Sequence, residues 1–234
     1  MAIRLFWRNY GKRCASELIG TYALVVAGPS SIILLSTLSL FSTPEALYLV
    51  ALTFGVSVSV IIILLGEHSG AVINPALTLA AASAQLLRRN LVIPYLLFQT
   101  VGGILAGLTL RLVFSPLGDV TSLGSTKLAT SISPVMGIGL EALGTFILAV
   151  SALAATAWIS RAELQALAVG GTLTLLILFI GPLTGAGFNP ARSLGPALAS
   201  EYFSNLYVYV IGPFVGALLA GLFFREIQLS FGRK

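Results

Sequence analysis

Asn-Pro-Ala occurs twice in the chain, at Asn74-Pro75-Ala76 and at Asn189-Pro190-Ala191. Asn before Pro is a helix-start signal, because the Asn side chain caps free backbone N–H groups and Pro fits the first helical turn. Each copy follows a long apolar run and opens a short apolar stretch, so both helices start within lipid-facing sequence. Such a start offers about half a positive charge at its N-terminus, together with amide N–H donors. Arg192, three residues after Asn189, adds a full cation inside the apolar frame. A charge placed there is expensive and points to function. Glu17 and Glu141 are carboxylates within apolar runs, and a buried carboxylate needs hydrogen-bond partners. The rest of the inventory offers little covalent chemistry. With one Cys (Cys14) and one His (His68) there is no internal disulfide, no metal-ligand cluster and no nucleophile–base set. No metal, no cofactor and no enzyme activity are expected.

Composition places these groups in a bilayer. The chain of 234 residues is 57% hydrophobic and 9% charged, with mean hydropathy +0.99; soluble domains carry about 25% charged residues. One all-α membrane domain over residues 1–234 is predicted. The net charge of +5 is not a nucleic-acid signal, because the basic residues cluster at the ends of apolar segments. Six segments are long enough to span: about 14–35, 46–65, 91–114, 134–159, 164–180 and 206–224. The first apolar run continues to about residue 40, which favours an uncleaved span over a signal peptide. Two further segments, 75–87 and 190–200, would reach only about 20 Å and about 16 Å as helices. A hydrocarbon core is about 30 Å thick, so both read as half-helices that enter and return. With six spans, Arg4, Arg8, Lys12, Arg13, Arg88, Arg89, Arg161, Arg225, Arg233 and Lys234 all fall on one side. That side, with both termini, should be cytoplasmic.

The chain is also an internal repeat, over about 10–114 and 134–226. Glu17-Leu18-Ile19-Gly20-Thr21 returns as Glu141-Ala142-Leu143-Gly144-Thr145, and Gly103 to Gly107 resembles Ala217 to Gly221. Three spans per repeat invert the second copy, so the two half-helices approach the midplane from opposite faces. The Asn-Pro-Ala corners should meet there. Segments 70–73 and 185–188 should be extended and expose carbonyls, which are tolerated at depth only where they line water. Gly103/Gly107 and Gly212/Gly216 have spacing that lets helices approach closely, within a protomer or between protomers.

Through Gly70-Ala71-Val72-Ile73-Asn74-Pro75-Ala76-Leu77-Thr78 and Gly185-Ala186-Gly187-Phe188-Asn189-Pro190-Ala191-Arg192-Ser193, the chain resembles the aquaporin (major intrinsic protein) family. The paired Glu17 and Glu141 and Gly212-Pro213-Phe214 extend the likeness to nearly the whole length. The resemblance implies six tilted spans and two half-helices in a right-handed bundle, a homotetramer in the plasma membrane, and a pore through each protomer. Passive permeation of water, with exclusion of protons and ions, would follow. It places Asn74 and Asn189 at the pore midplane and Phe54, Ile177, Ala186 and Arg192 in a selectivity filter. It gives Glu17 and Glu141 the support of the re-entrant loops. The carbonyls of Gly70, Ala71, Val72, Ile73, Gly185, Gly187 and Phe188 are expected on the pore wall.

Four departures bear on the solute. Ile177 stands where strict water channels carry His, and Val72 where many members carry His. Tyr209-Val210 replaces an aromatic-Trp pair and is closer to archaeal-type and nodulin-type channels. Glu67-His68 suggests a pH-sensitive inner vestibule, since His is the side chain that changes charge near physiological pH. Water is the first expected permeant; ammonia, hydrogen sulfide, hydrogen peroxide, glycerol or metalloid acids form the broader alternative. The rival class is a proton-coupled secondary transporter, which would place a titratable group where the half-helices meet. The sequence has Asn there.

Overall fold

The computed structural model describes residues 2–40 and 43–231, without the side chains of residues 2–6, 8, 9 and 231. Of the predicted basic residues, the side chains of Arg4 and Arg8 and the whole of Arg233 and Lys234 lie outside what is described. The chain forms α1 (Ala2–Thr37), α2 (Pro44–Ser69), α3 (Pro75–Ser83), α4 (Arg89–Phe114), α5 (Pro134–Trp158), α6 (Ala162–Thr184), α7 (Pro190–Ser200) and α8 (Val208–Phe231). Among the described residues six helices are long and apolar enough to cross a membrane; in α1 that stretch is Tyr10–Thr37. The remaining two, α3 and α7, are the half-helices.

Four helices begin with a polar cap followed by Pro. Thr43, Asn74, Ser133 and Asn189 each accept backbone N–H groups through the side chain, and Pro44, Pro75, Pro134 and Pro190 follow. Several ends differ from expectation. α1 starts well before residue 14, α6 runs on to Thr184, and α8 starts at Val208 and continues to Phe231. The first half-helix stops at Ser83 rather than at residue 87. Gln85 adopts a left-handed conformation (φ 61°), and the Leu86 N–H turns back to the Ala81 carbonyl at 2.9 Å. This closes the helix in the manner of a Schellman motif, with Gln in the position that Gly usually fills.

The two halves interlock. α1 packs on α4, α5 on α8, and α2 on α6; α3 lies against α8, while α7 lies against α4. Each half-helix therefore rests on the last span of the other half. The expected small-residue contacts form within one protomer. A Cβ at Gly103 would lie 2.4 Å from the Ala191 carbonyl oxygen, and one at Gly107 would lie 2.1 Å from that of Gly195. Gly212 and Gly216 of α8 similarly abut the α5 backbone at Ile138 and Ala142. These glycines bring helix backbones together, which is how membrane helices gain van der Waals contact where lipid offers no hydrophobic drive.

Candidate pore and its constriction

The half-helix starts are joined directly. Oδ1 of Asn74 accepts the N–H groups of Ala76 (2.8 Å) and Leu77 (3.4 Å); Oδ1 of Asn189 accepts those of Ala191 (3.1 Å) and Arg192 (3.4 Å). Committing the oxygen to its own helix turns each amide nitrogen outward. Nδ2 of Asn74 donates to the Phe188 carbonyl, and Nδ2 of Asn189 donates to the Ile73 carbonyl, both at 2.9 Å. Each amide nitrogen carries two hydrogens. One is spent on this cross-link, so each Asn has one N–H left for the cavity that both residues line.

The segments before the two Asn residues are not extended. Gly70, Ala71 and Ile73 have φ of 91°, 46° and 44°; Gly185, Ala186 and Phe188 repeat the pattern at 79°, 47° and 49°. Left-handed non-glycine residues cost about 1–3 kcal/mol each and persist where the surroundings over-determine them. Here successive N–H groups converge on a carboxylate, as in an anion-binding nest. Glu17 accepts from Val72 N (3.0 Å, Oε1), Ile73 N (2.6 Å, Oε2) and Gln99 Nε2 (2.7 Å, Oε2). Glu141 accepts from Gly187 N (2.9 Å) and Thr184 Oγ1 (2.7 Å) through Oε1, and from Phe188 N (2.7 Å) through Oε2. Both carboxylates are fully buried.

That geometry orients the carbonyls. In a trans peptide the N–H and C=O point to opposite sides. The carbonyls of Ala71, Val72, Ala186 and Gly187 therefore aim away from the two carboxylates, and all four residues line the cavity. Of the seven residues expected on the pore wall, Gly70, Ala71, Val72, Ile73, Gly187 and Phe188 line the cavity. Gly185 does not; it caps α6 and packs against the backbone of Thr126 and Lys127. The carbonyls of Ile73 and Phe188 are taken by the Asn amides.

Other residues of this scaffold escaped the sequence reading. The hydroxyls of Ser69 and Thr184 accept the N–H groups of Ala71 (3.0 Å) and Ala186 (3.1 Å). The phenols of Tyr95 and Tyr209, both fully buried, donate to the Ser69 and Thr184 carbonyls at 2.7 Å. Ser69 and Thr184 each stand five residues before their Asn, and that matched spacing could have found them. Gln99 has no such signal. It bridges Glu17 to the Thr78 hydroxyl (2.9 Å) in the first half, and no counterpart was detectable by repetition.

Phe54 (α2), Ile177 (α6), Ala186 and Arg192 (α7) line one end of the cavity. Arg192 is 2% exposed, and its Nη1 donates to the Gly124 carbonyl at 3.0 Å. Gly124 belongs to the connection between α4 and α5. The guanidinium carbon lies 5.1 Å from the centroid of the Phe54 ring, a cation–π contact. The cavity passes Asn74 and Asn189 and reaches Thr156 and Gln165 beside the connection between α5 and α6. Since α5 separates the two connections, the path runs from one end of the bundle to the other. Between the polar stations its wall is apolar, with Leu24, Val58, Leu148 and Leu173. Glu67 and His68, in the last turn of α2, are exposed and do not line it. The structure does not bring this pair to the site.

Two capped half-helices stitched start to start beside one long cavity are matched by sequence. The model of the family described as Major intrinsic protein matches residues 6–224. The chain belongs to this family, the aquaporins. It is 37% identical to Aquaporin NIP3-1 of Arabidopsis thaliana over 90% of its own length and 65% of that protein's, so it spans just under two thirds of that relative. Aquaporin NIP2-1 of Arabidopsis thaliana is 35% identical over 94% of this chain and 76% of its own. Nodulin-26 of Glycine max is 33% identical over 94% and 79%. The aquaglyceroporin of Plasmodium falciparum, known from an X-ray structure, superposes with a TM-score of 0.78 at 21% identity. The superposition covers 96% of this chain and 97% of that one, and at this identity the likeness is one of fold. This aquaporin is thus a multi-pass membrane protein of aquaporin architecture.

Proposed function

We propose that this aquaporin is a passive channel for water and small uncharged solutes that excludes protons and ions. The observation that carries the reading is the pair of cross-linked Asn caps, each with one N–H to spare, at the meeting of two helix N-termini inside the cavity. A water there gives its oxygen to the Asn donors and must point its own hydrogens away in both directions, which breaks the chain of donors a proton needs. Cations meet about half a positive charge from each helix and the Arg192 guanidinium, with no carboxylate among the described cavity-lining residues to replace their hydration. Glu17 and Glu141 support the loops rather than relay protons: both oxygens of each act as acceptors, and neither residue lines the cavity. This argues against a proton-coupled transporter.

Phe54, Ile177, Ala186 and Arg192 form the selectivity filter, with an aliphatic wall at Ile177 that opens it to uncharged solutes besides water, glycerol and metalloid acids among them. Assembly as a homotetramer in the plasma membrane, with both termini cytoplasmic, completes the proposal; the basic residues Arg88, Arg89, Arg161 and Arg225 support that orientation. Swelling of reconstituted vesicles against sucrose, urea and glycerol tests the filter. Ile177→His, which adds a longer-reaching ring and a polar partner to the wall, should lower the ratio of solute to water flux by about tenfold, the scale on which a change of one methylene group in a pocket discriminates. An unchanged ratio removes Ile177 from the filter.

A further inference from the structure

Gly28, on α1, does not line the cavity, yet it sits directly behind a residue that does. A Cβ built on Gly28 would lie 2.1 Å from Cζ, 2.2 Å from Cε1 and 2.6 Å from Cε2 of Phe54. The tip of the ring therefore rests on bare backbone, in a notch that only glycine leaves open. The neighbouring residue backs a second part of the same constriction. A Cβ on Gly124, whose φ is 72°, would lie 2.8 Å from Cβ and 2.9 Å from Cα of Pro29. The Gly124 carbonyl is the group that holds the Arg192 guanidinium. Two consecutive residues of α1 thus support the ring and the anchor of the cation that faces it.

We infer that Gly28 is a specificity-determining residue of the channel: it stows the Phe54 ring against α1 and thereby sets the aperture between Phe54 and Arg192. Opposite the notch the ring lines the cavity, and its centroid is already 5.1 Å from the guanidinium carbon. Any side chain at position 28 pushes the ring tip that way and narrows the path. The repeat places counterparts of both residues in the second half. Ala152 stands eleven residues after Glu141, as Gly28 does after Glu17, and Val169 stands twenty before Asn189, as Phe54 does before Asn74. The ring and the glycine of one half thus have a smaller Val and a larger Ala at the matching positions of the other. Both Ala152 and Val169 line the cavity.

The inference rests on Phe54 belonging to the constriction, and a four-member set separates the two claims. Wild type, Phe54→Ala, Gly28→Ala and the double variant are reconstituted at matched protein content, and fluxes of water, urea and glycerol are measured. Phe54→Ala should raise the ratio of solute to water flux; if it does not, the filter assignment of Phe54 fails, and the present inference with it. Gly28→Ala should lower that ratio by about tenfold, or lower water flux itself if wild type passes water alone. The double variant should behave as Phe54→Ala, because no ring is left to displace. If Phe54→Ala acts as expected while Gly28→Ala conducts like wild type, or its defect survives in the double variant, Gly28 does not set the aperture. The same rescue applies to folding: a Gly28→Ala protein that fails to accumulate even in the Phe54→Ala background also overturns the inference.

Discussion

Glu141→Ala abolishes conduction: water flux per molecule is expected to fall by tenfold or more, with the protein still inserted in the membrane. The carboxylate receives the N–H groups of Gly187 and Phe188 and the hydroxyl of Thr184, all within 2.9 Å in a fully buried site. Truncation orphans three donors at roughly 1–3 kcal/mol each. Whole domains are stable by only about 5–15 kcal/mol. Side-chain hydrogen bonds between membrane helices usually contribute less, about 0.6 kcal/mol on average. The difference here is what the donors belong to. Ala186 and Phe188 hold left-handed conformations that the carboxylate keeps in place, and the Phe188 carbonyl in turn holds Asn74. Losing Glu141 therefore releases the loop and one of the two cross-links. Glu141→Gln should fall between the two, since its oxygen still accepts while its NH2 faces a donor. Stopped-flow light scattering on vesicles of known protein content measures the series. Wild-type flux from the Ala variant would remove the supporting role.

Arg192→Val is expected to leave water flux within about twofold of wild type and to raise cation leak sharply. A fixed charge about 4 Å from a passing cation opposes it by about 4 kcal/mol at an effective dielectric of 20. That corresponds to roughly a thousandfold in rate. The two helix N-termini remain, so the variant should still leak far less than an open cation pore. Valine also releases the Gly124 carbonyl and leaves the Phe54 face without its cation, so the filter end widens. Solutes larger than water should gain most. Potential-sensitive dye readings under a potassium gradient test the charge effect, and glycerol swelling tests the width. A cation leak equal to wild type would mean that the half-helices alone carry exclusion.

The parts of this architecture that were legible in sequence are those written in local chemistry. Asn74-Pro75 and Asn189-Pro190 announce helix starts at any depth, and apolar length separates spans from half-helices. The paired Glu-x-x-Gly-Thr motifs disclose the repeat, and oddness of span number inverts it. What escaped was written in long-range contacts. One local feature escaped as well: Gln85 ends α3 in a left-handed conformation that its residue type does not advertise. Gly185 looked like a pore-wall residue by position, but it is held against the Thr126–Lys127 backbone, more than fifty residues away in sequence. The cross-links made by the Asn amides have no local signal, because their acceptors, Phe188 and Ile73, lie in the opposite half. Tyr95 carries no local signal and Tyr209 stands out only by replacing one of an aromatic-Trp pair, whereas both phenols donate to loop carbonyls, those of Ser69 and Thr184. Glu67 and His68, expected at a vestibule, are exposed in the last turn of α2, and neither lines the cavity.

Water and proton flux measured on the same reconstituted vesicles test most directly whether the cross-linked Asn starts form a proton-excluding water pore. Osmotic shrinkage should accelerate in proportion to protein content and show a much weaker temperature dependence than the bare bilayer. Under a pH gradient, an entrapped pH dye should respond at the rate of protein-free vesicles. A proton flux that rises with protein content, or a solute accumulated against its gradient when a pH difference is imposed, would contradict the channel reading and favour a coupled transporter.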